Sequence, residues 1–215
     1  MPRRPLPDDP QATFHVVNRA AHGQLLFATF GEHLLFLRLL ERTLRLVPID
    51  LYAFVLMPNH FHLLIRVPDN RGLSAFMHLL TMTHARILRQ ARGTVGRGAI
   101  YQGRFRARCV DTELYFARAV RYIARNPVRA GFVLRAEDWP WSSESPVAWI
   151  QGLNLARWPV ARHSDWLDFV NDAEPAEDVE FFRAGIRDNE VRGRLKAAAS
   201  SAISAPSIVA VSDND

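Results

Sequence analysis

The chain has 215 residues and a formal charge of +5, with 48% hydrophobic and 10% aromatic residues. That composition excludes a disordered or fibrous chain and is ample for a globular core. A single cysteine, Cys109, excludes a disulfide framework and a cysteine zinc site. The most apolar run, Leu34 to Leu40, is interrupted by Arg38 and is far too short for a membrane span. Met1–Pro10 has two arginines, four prolines and no apolar core, so no signal peptide is expected and the expected location is the cytoplasm.

Charge is distributed unevenly. Lys196 is the only lysine, and between Arg86 and Arg135 stand twelve arginines against two acids, Asp111 and Glu113. The stretch from Asp165 to Glu190 is acidic. A basic middle fits a phosphate-rich partner, although solvated arginine-rich helix faces give the same pattern.

In chain order, Thr13 to Arg19 has strand composition, with His15 as an incidental or structural histidine. Gly31 to Val47 reads as an amphipathic helix stopped by Pro48. Leu51 to Leu56 and Phe61 to Val67 read as two buried strands, joined as a hairpin through Met57-Pro58-Asn59. Side chains alternate along a strand, so His60 and His62 share a face, roughly 6.6 Å apart, while Phe61 points the other way. Two imidazoles on one rigid face can clamp a metal, but can equally be two satisfied polar residues, and a metal would need a further ligand.

Leu73 to Arg92 reads as a second helix with Ser74 at its cap. A glycine-rich loop at Gly93, Gly96 and Gly98 follows. Arg104 to Val110 alternates arginine with Phe105, Ala107 and Cys109, giving a strand with one basic and one buried face. Asp111 is placed to cap a third helix running to about Asn126, where Pro127 and Gly131 end it. Tyr122 and Asn126 are four apart and hence on one face, among Arg118, Arg121, Arg125 and Arg129. That set suits phosphotyrosine chemistry, and also suits a buried aromatic with a capping asparagine. Trp139-Pro140-Trp141-Ser142-Ser143 reads as packing of the exit chain, Trp158 to Phe182 as a small helical or irregular extension, and Ala197 to Asp215 as disordered. The order strand, helix, strand, strand, helix, strand, helix gives an α+β fold: a ferredoxin-like antiparallel sheet with helices on it and a C-terminal extension.

Met57-Pro58-Asn59-His60-Phe61-His62, Gln102-Gly103-Arg104-Phe105, Arg121-Tyr122-Ile123, Asn126-Pro127-Val128-Arg129-Ala130-Gly131 and Trp139 with Trp141-Ser142-Ser143 together resemble the REP-associated tyrosine transposases. These are an IS200-like branch of the HUH single-tyrosine transposases. The similarity runs from about Phe14 to Ser143. It implies the HUH endonuclease fold over residues 13–143; residues 1–12 read as a disordered or extended arm, 144–196 as a small helical or irregular extension and 197–215 as a disordered tail.

The resemblance also implies single-strand DNA cleavage and strand transfer at palindromic hairpins through a 5′-phosphotyrosine. Tyr122 would be the nucleophile. His60, His62 and Asn126 would hold Mg²⁺ or Mn²⁺. Arg104, Arg106, Arg108, Arg118, Arg121, Arg125 and Arg129 would contact DNA phosphates. The implied partner is single-stranded or hairpin DNA of REP-like repeats, with a nucleoid-associated monomer or homodimer and no membrane. After Ser143 the chain departs from the family pattern: Glu144, Ser145 and Pro146 stand where a tyrosine is expected. A rolling-circle or relaxase-type nickase, a DNA-binding protein without catalysis and a water-using phosphodiesterase are the rival readings.

Overall fold

The computed structural model describes residues 12–68, 70–110, 112–147 and 153–183. The arm at 1–11, Asp111, and the arginines Arg187, Arg192 and Arg194 with the rest of the tail lie outside them. Four strands form one antiparallel sheet, β1 (Thr13–Arg19), β2 (Asp50–Met57), β3 (His60–Arg66) and β4 (Arg106–Val110), in the order β2-β3-β1-β4. With helices α1 (Phe30–Leu46) and α2 (Asn70–Ala91) in the two crossovers, this is the expected ferredoxin-like split unit.

Helix α1 starts on a capping box. The Thr29 hydroxyl accepts from the Glu32 amide at 3.3 Å, and the Glu32 carboxylate reaches back to the Ala28 amide at 2.6 Å. The chain leaves α1 before Pro48, which has no amide proton to continue it. Helix α2 begins at Asn70, so Ser74 lies inside the helix and is not its cap. Strand β4 begins at Arg106, two residues later than the alternation predicts, so Arg104 is not on the strand.

The sheet separates two chemistries. Phe61 faces α1, its ring 4.8 Å from Phe36. Its neighbours His60 and His62 face the other side, where α3 (Glu113–Ala124) packs; there Phe116 of α3 meets Tyr52 at 5.1 Å. The cap of α3 is Thr112, whose hydroxyl accepts from the Tyr115 amide at 3.2 Å. After α3 come α4 (Asn126–Arg129), α5 (Trp166–Asn171) and α6 (Ala176–Arg183).

The β2–β3 turn is held from outside the hairpin. The Pro58 carbonyl accepts from Leu26 and Phe27, and the Asn59 carbonyl accepts from Ala20, which pins the start of β3. Residues 141–143 run along the otherwise open edge of β2. The Leu56 amide donates to the Trp141 carbonyl at 2.8 Å and the Ser143 amide to the Phe54 carbonyl at 3.0 Å. Trp139 and Trp141 are fully buried, so this cluster packs the exit chain on the core, and truncating either tryptophan should cost about 3–5 kcal/mol.

Candidate active site

The register of β1 against β3 builds the site. Val17 lies opposite His62 and Arg19 opposite His60, so His15, two residues before Val17, shares their face. His15 Nε2 and His62 Nδ1 are 2.7 Å apart, with the rings stacked at 5.0 Å. His60 and His62 are 5.0 Å apart, centroid to centroid, edge to face. Burial, then the neighbouring His60 and His15, then Arg129 and Arg19, hold His62 well below the ordinary imidazole range, so it is neutral. Burial, with Arg108 and Arg129, lowers His15 to about 3.

Each histidine of the pair uses Nδ1 on the protein. His60 Nδ1 donates to Asn59 Oδ1 at 2.7 Å, which leaves Nε2 as the ring's lone-pair nitrogen. His62 Nδ1 is taken by His15, and His62 Nε2 is buried with no hydrogen-bond partner among the described residues. Two imidazoles on one face of one strand, with His62 neutral, suit a divalent cation. Among the described residues no group of three His, Cys, Asp or Glu side chains gathers to hold a metal.

Tyr122 meets His62 and His15. Its ring is 5.8 Å from both His62 and His15, edge to face in each case. The tyrosine helix ends at Ala124, and Asn126 opens α4. Asn126 donates from Nδ2 to the Tyr122 carbonyl at 3.1 Å, so its Oδ1 is the atom that could turn to a cation. The structure therefore brings His60, His62 and Tyr122 together and sets Asn126 one turn beyond the phenol.

The arginines divide differently from expectation. Glu174 pairs with Arg125 at 3.2 Å and also with Arg129. Arg121 donates to the carbonyls of Asp172 and Ala173, each at 2.9 Å. Arg118 pairs with Asp178 at 3.1 Å, and Arg108 donates to the Phe181 carbonyl at 2.6 Å. The acidic extension thus engages five of the seven arginines read as phosphate contacts. Arg106 is exposed on the histidine face, opposite Val17, and Arg104 is exposed on another surface. The extension also covers the phenol, with Phe182 stacked on Tyr122 at 4.8 Å, and Arg129 of α4 lies over the tyrosine ring at 4.0 Å. Tyr122 is 2% exposed.

A family model described as "Transposase IS200 like" matches residues 11–126, more than half of the chain. The chain belongs to this family. A REP-associated tyrosine transposase of Escherichia coli (strain K12) is 29% identical over 96 residues, 45% of this chain and 54% of that protein. A Haemophilus influenzae protein of the same name is 28% identical over 111 residues, 48% of this chain and 63% of that one. The chain thus spans less than two thirds of either curated relative. The solved structure of a REP-associated tyrosine transposase bound to a REP hairpin shares the fold, with TM-score 0.54 and 23% identity over 66% of this chain and 82% of that one.

The IS200-like span ends at Asn126 and holds His15, both β3 histidines and Tyr122; the covering segment 153–183 lies beyond it. Sequence reasoning missed His15, Glu174 and Phe182. The alternation of β1 could have flagged His15 once its register with β3 was known. The acidic run after Asp165 was the visible sign of a partner for the arginines. No helix of the described residues is long and apolar enough to cross a membrane.

Proposed function

We propose that the chain is a metal-dependent single-strand DNA endonuclease and strand transferase acting on REP-like hairpins. The observation that carries this is the contact of the Tyr122 ring with His62, whose Nε2 is buried and unpartnered among the described residues. Residues 13–143 form the catalytic domain. His60 and His62, with Asn126 Oδ1, would hold Mg²⁺ or Mn²⁺, a mixed nitrogen and oxygen set that suits such ions when water and phosphate complete it. The bound cation would supply charge neutralisation of the scissile phosphate.

Tyr122 Oη attacks the phosphorus of a phosphodiester and its proton is lost. The bond from phosphorus to the 3′-oxygen breaks, and that oxygen leaves as a 3′-hydroxyl. The product is a 5′-phosphotyrosine. Attack by a 3′-hydroxyl on this ester forms a new phosphodiester and returns the phenol. One phosphate ester replaces another in each step, so rejoining needs no ATP. The chain's own contribution is alignment: α3 fixes the phenol, β3 fixes the two imidazoles, and the sheet holds both rigid. Arginines released from the acidic extension would contact the DNA backbone.

The deciding experiment incubates the full chain with Mn²⁺ and a labelled hairpin carrying an unpaired flank. The expected result is a covalent adduct that survives a denaturing gel and disappears in Tyr122→Phe. Cleavage without adduct in that variant would point to hydrolysis by water. Binding without cleavage in any metal would leave a DNA-binding protein.

A further inference from the structure

The opposite face of the sheet carries a groove of about 1320 Å³ between α2, the 95–105 segment and the β4 edge. Asn18 and Ala107 belong to its lining. They alternate with Val17 and Arg106, which lie on the histidine face, so the groove opens away from Tyr122. Its volume exceeds the roughly 300–1,000 Å³ of ordinary small-molecule sites, which favours a polymer as occupant.

Arg86, Arg89 and Arg104 line the groove, and no Asp or Glu among the described residues does. None of the three makes an ion pair among the described residues, in contrast to the arginines beside Tyr122. Arg89 Nε is buried with no hydrogen-bond partner among the described residues. Between the arginines the wall is apolar. Met82 is 58% exposed and Val95 74%, and the rings of Tyr101 and Phe105 contribute to it. Tyr101 is held rigid by a 2.6 Å hydrogen bond between its hydroxyl and His84 Nδ1.

We propose that this groove binds unpaired nucleotides of the DNA, with phosphates on Arg86, Arg89 and Arg104 and bases against Tyr101 and Phe105. The proposal rests on the reading of the tyrosine site as a DNA-processing centre and adds a second contact region to it. Cationic residues without acids select an anionic chain. Aromatic and apolar walls select one whose base faces are open, which a duplex stem does not offer. Arg104 stands two residues before Arg106, so a strand leaving the groove at β4 meets a cation on the histidine face.

The test uses the full chain and two hairpins, one with 5-iodouracil in an unpaired flank and one with it in the stem. Irradiation should cross-link the flank to peptides containing Tyr101, Phe105 or Met82, in Tyr122→Phe as well as in the parent chain. Arg86→Glu with Arg104→Glu should weaken binding of the flanked hairpin tenfold or more. The salt slope should fall by about 1.4, two contacts at roughly 0.7 each for single strands. Both arginines are exposed, so the variant should melt like the parent. Unchanged affinity with cross-links only on the α3 side overturns the groove while an intact adduct keeps the enzyme reading. Equal loss for a blunt hairpin, or cross-links from the stem alone, overturns the unpaired-strand assignment. Conversion of a dimer to a monomer with DNA affinity unchanged makes the groove a protein interface. Absence of both binding and adduct in the parent chain overturns the groove and the enzyme together.

Discussion

Phe182 lies nearly flat on Tyr122, with centroids 4.8 Å and planes 29° apart, and the phenol beneath it is 2% exposed. On the proposed function a phosphodiester would have to reach this covered tyrosine, so α6 would have to lift before attack on phosphorus. Phe182 is itself 3% exposed, and burial plus stacking hold such a ring by about 2–4 kcal/mol. If lifting precedes the chemistry, Phe182→Ala should raise the single-turnover rate of adduct formation by roughly 30–700-fold, since about 1.4 kcal/mol is a factor of ten. A rate equal to the parent's, with the fold intact by circular dichroism, would mean that the cover does not limit access.

The same segment is held by charge. The Glu174 side chain is 4% exposed between Arg125 and Arg129, themselves 12% and 13% exposed. Removing one partner from a buried cluster leaves uncompensated guanidinium groups, at about 3–5 kcal/mol for a fully buried pair. Glu174→Gln should therefore loosen the extension without unfolding the sheet. Limited proteolysis should cut between residues 153 and 183 at least tenfold faster, while Trp139 and Trp141 keep their native fluorescence. Cutting at the parent rate would show that apolar packing alone seats the segment.

These two contacts also mark where the sequence stopped being legible. Apolar periodicity placed the sheet and its helices within a few residues, because those patterns report burial directly. That His60 and His62 share a face was readable because local spacing fixes which face each side chain takes, whereas Tyr122 was singled out by the family resemblance. His15 was not, since its place beside His62 depends on the pairing of β1 with β3, set by chain far away. Arg118, Arg121, Arg125 and Arg129 looked like a free basic stripe because their partners lie 45 to 60 residues later. Arg104 was assigned to the strand face by extending an alternation that begins only at Arg106.

His15 gives a prediction about metal binding. It contacts neither the phenol oxygen nor a ligand nitrogen in any described contact; it holds His62 Nδ1 at 2.7 Å and so orients Nε2. Losing such a supporting partner typically weakens metal affinity by about 10–100-fold. His15→Phe keeps the ring stacking but strands Nδ1, so Mn²⁺ affinity measured by electron paramagnetic resonance should fall by that factor. His15→Asn, which can still bond to Nδ1, should recover part of it. Equal Mn²⁺ binding in all three chains would show that His62 needs no orienting partner.

Acid should destabilise the α1/α2 side of the molecule through two other histidines. Burial lowers His33 to about 4 and His84 to about 3. Each uses Nδ1 in a hydrogen bond, to the Thr29 carbonyl and the Tyr101 hydroxyl respectively, and each has a buried Nε2 without a partner among the described residues. Both rings are neutral in the fold, whereas in the unfolded chain they take up a proton near pH 6.5. Below that pH the unfolded state binds more protons, so stability falls as pH drops from about 6.5 towards the folded values of about 4 and 3. At pH 5 the loss is about 2 kcal/mol per histidine. Denaturant melts at pH 7.5 and pH 5.0 should show it, and His84→Met should remove about one histidine's share of the difference, whatever it does to stability at pH 7.5. An unaltered pH difference in His84→Met would mean that His84 takes up its proton equally in both states, which requires the folded ring to be reached by water.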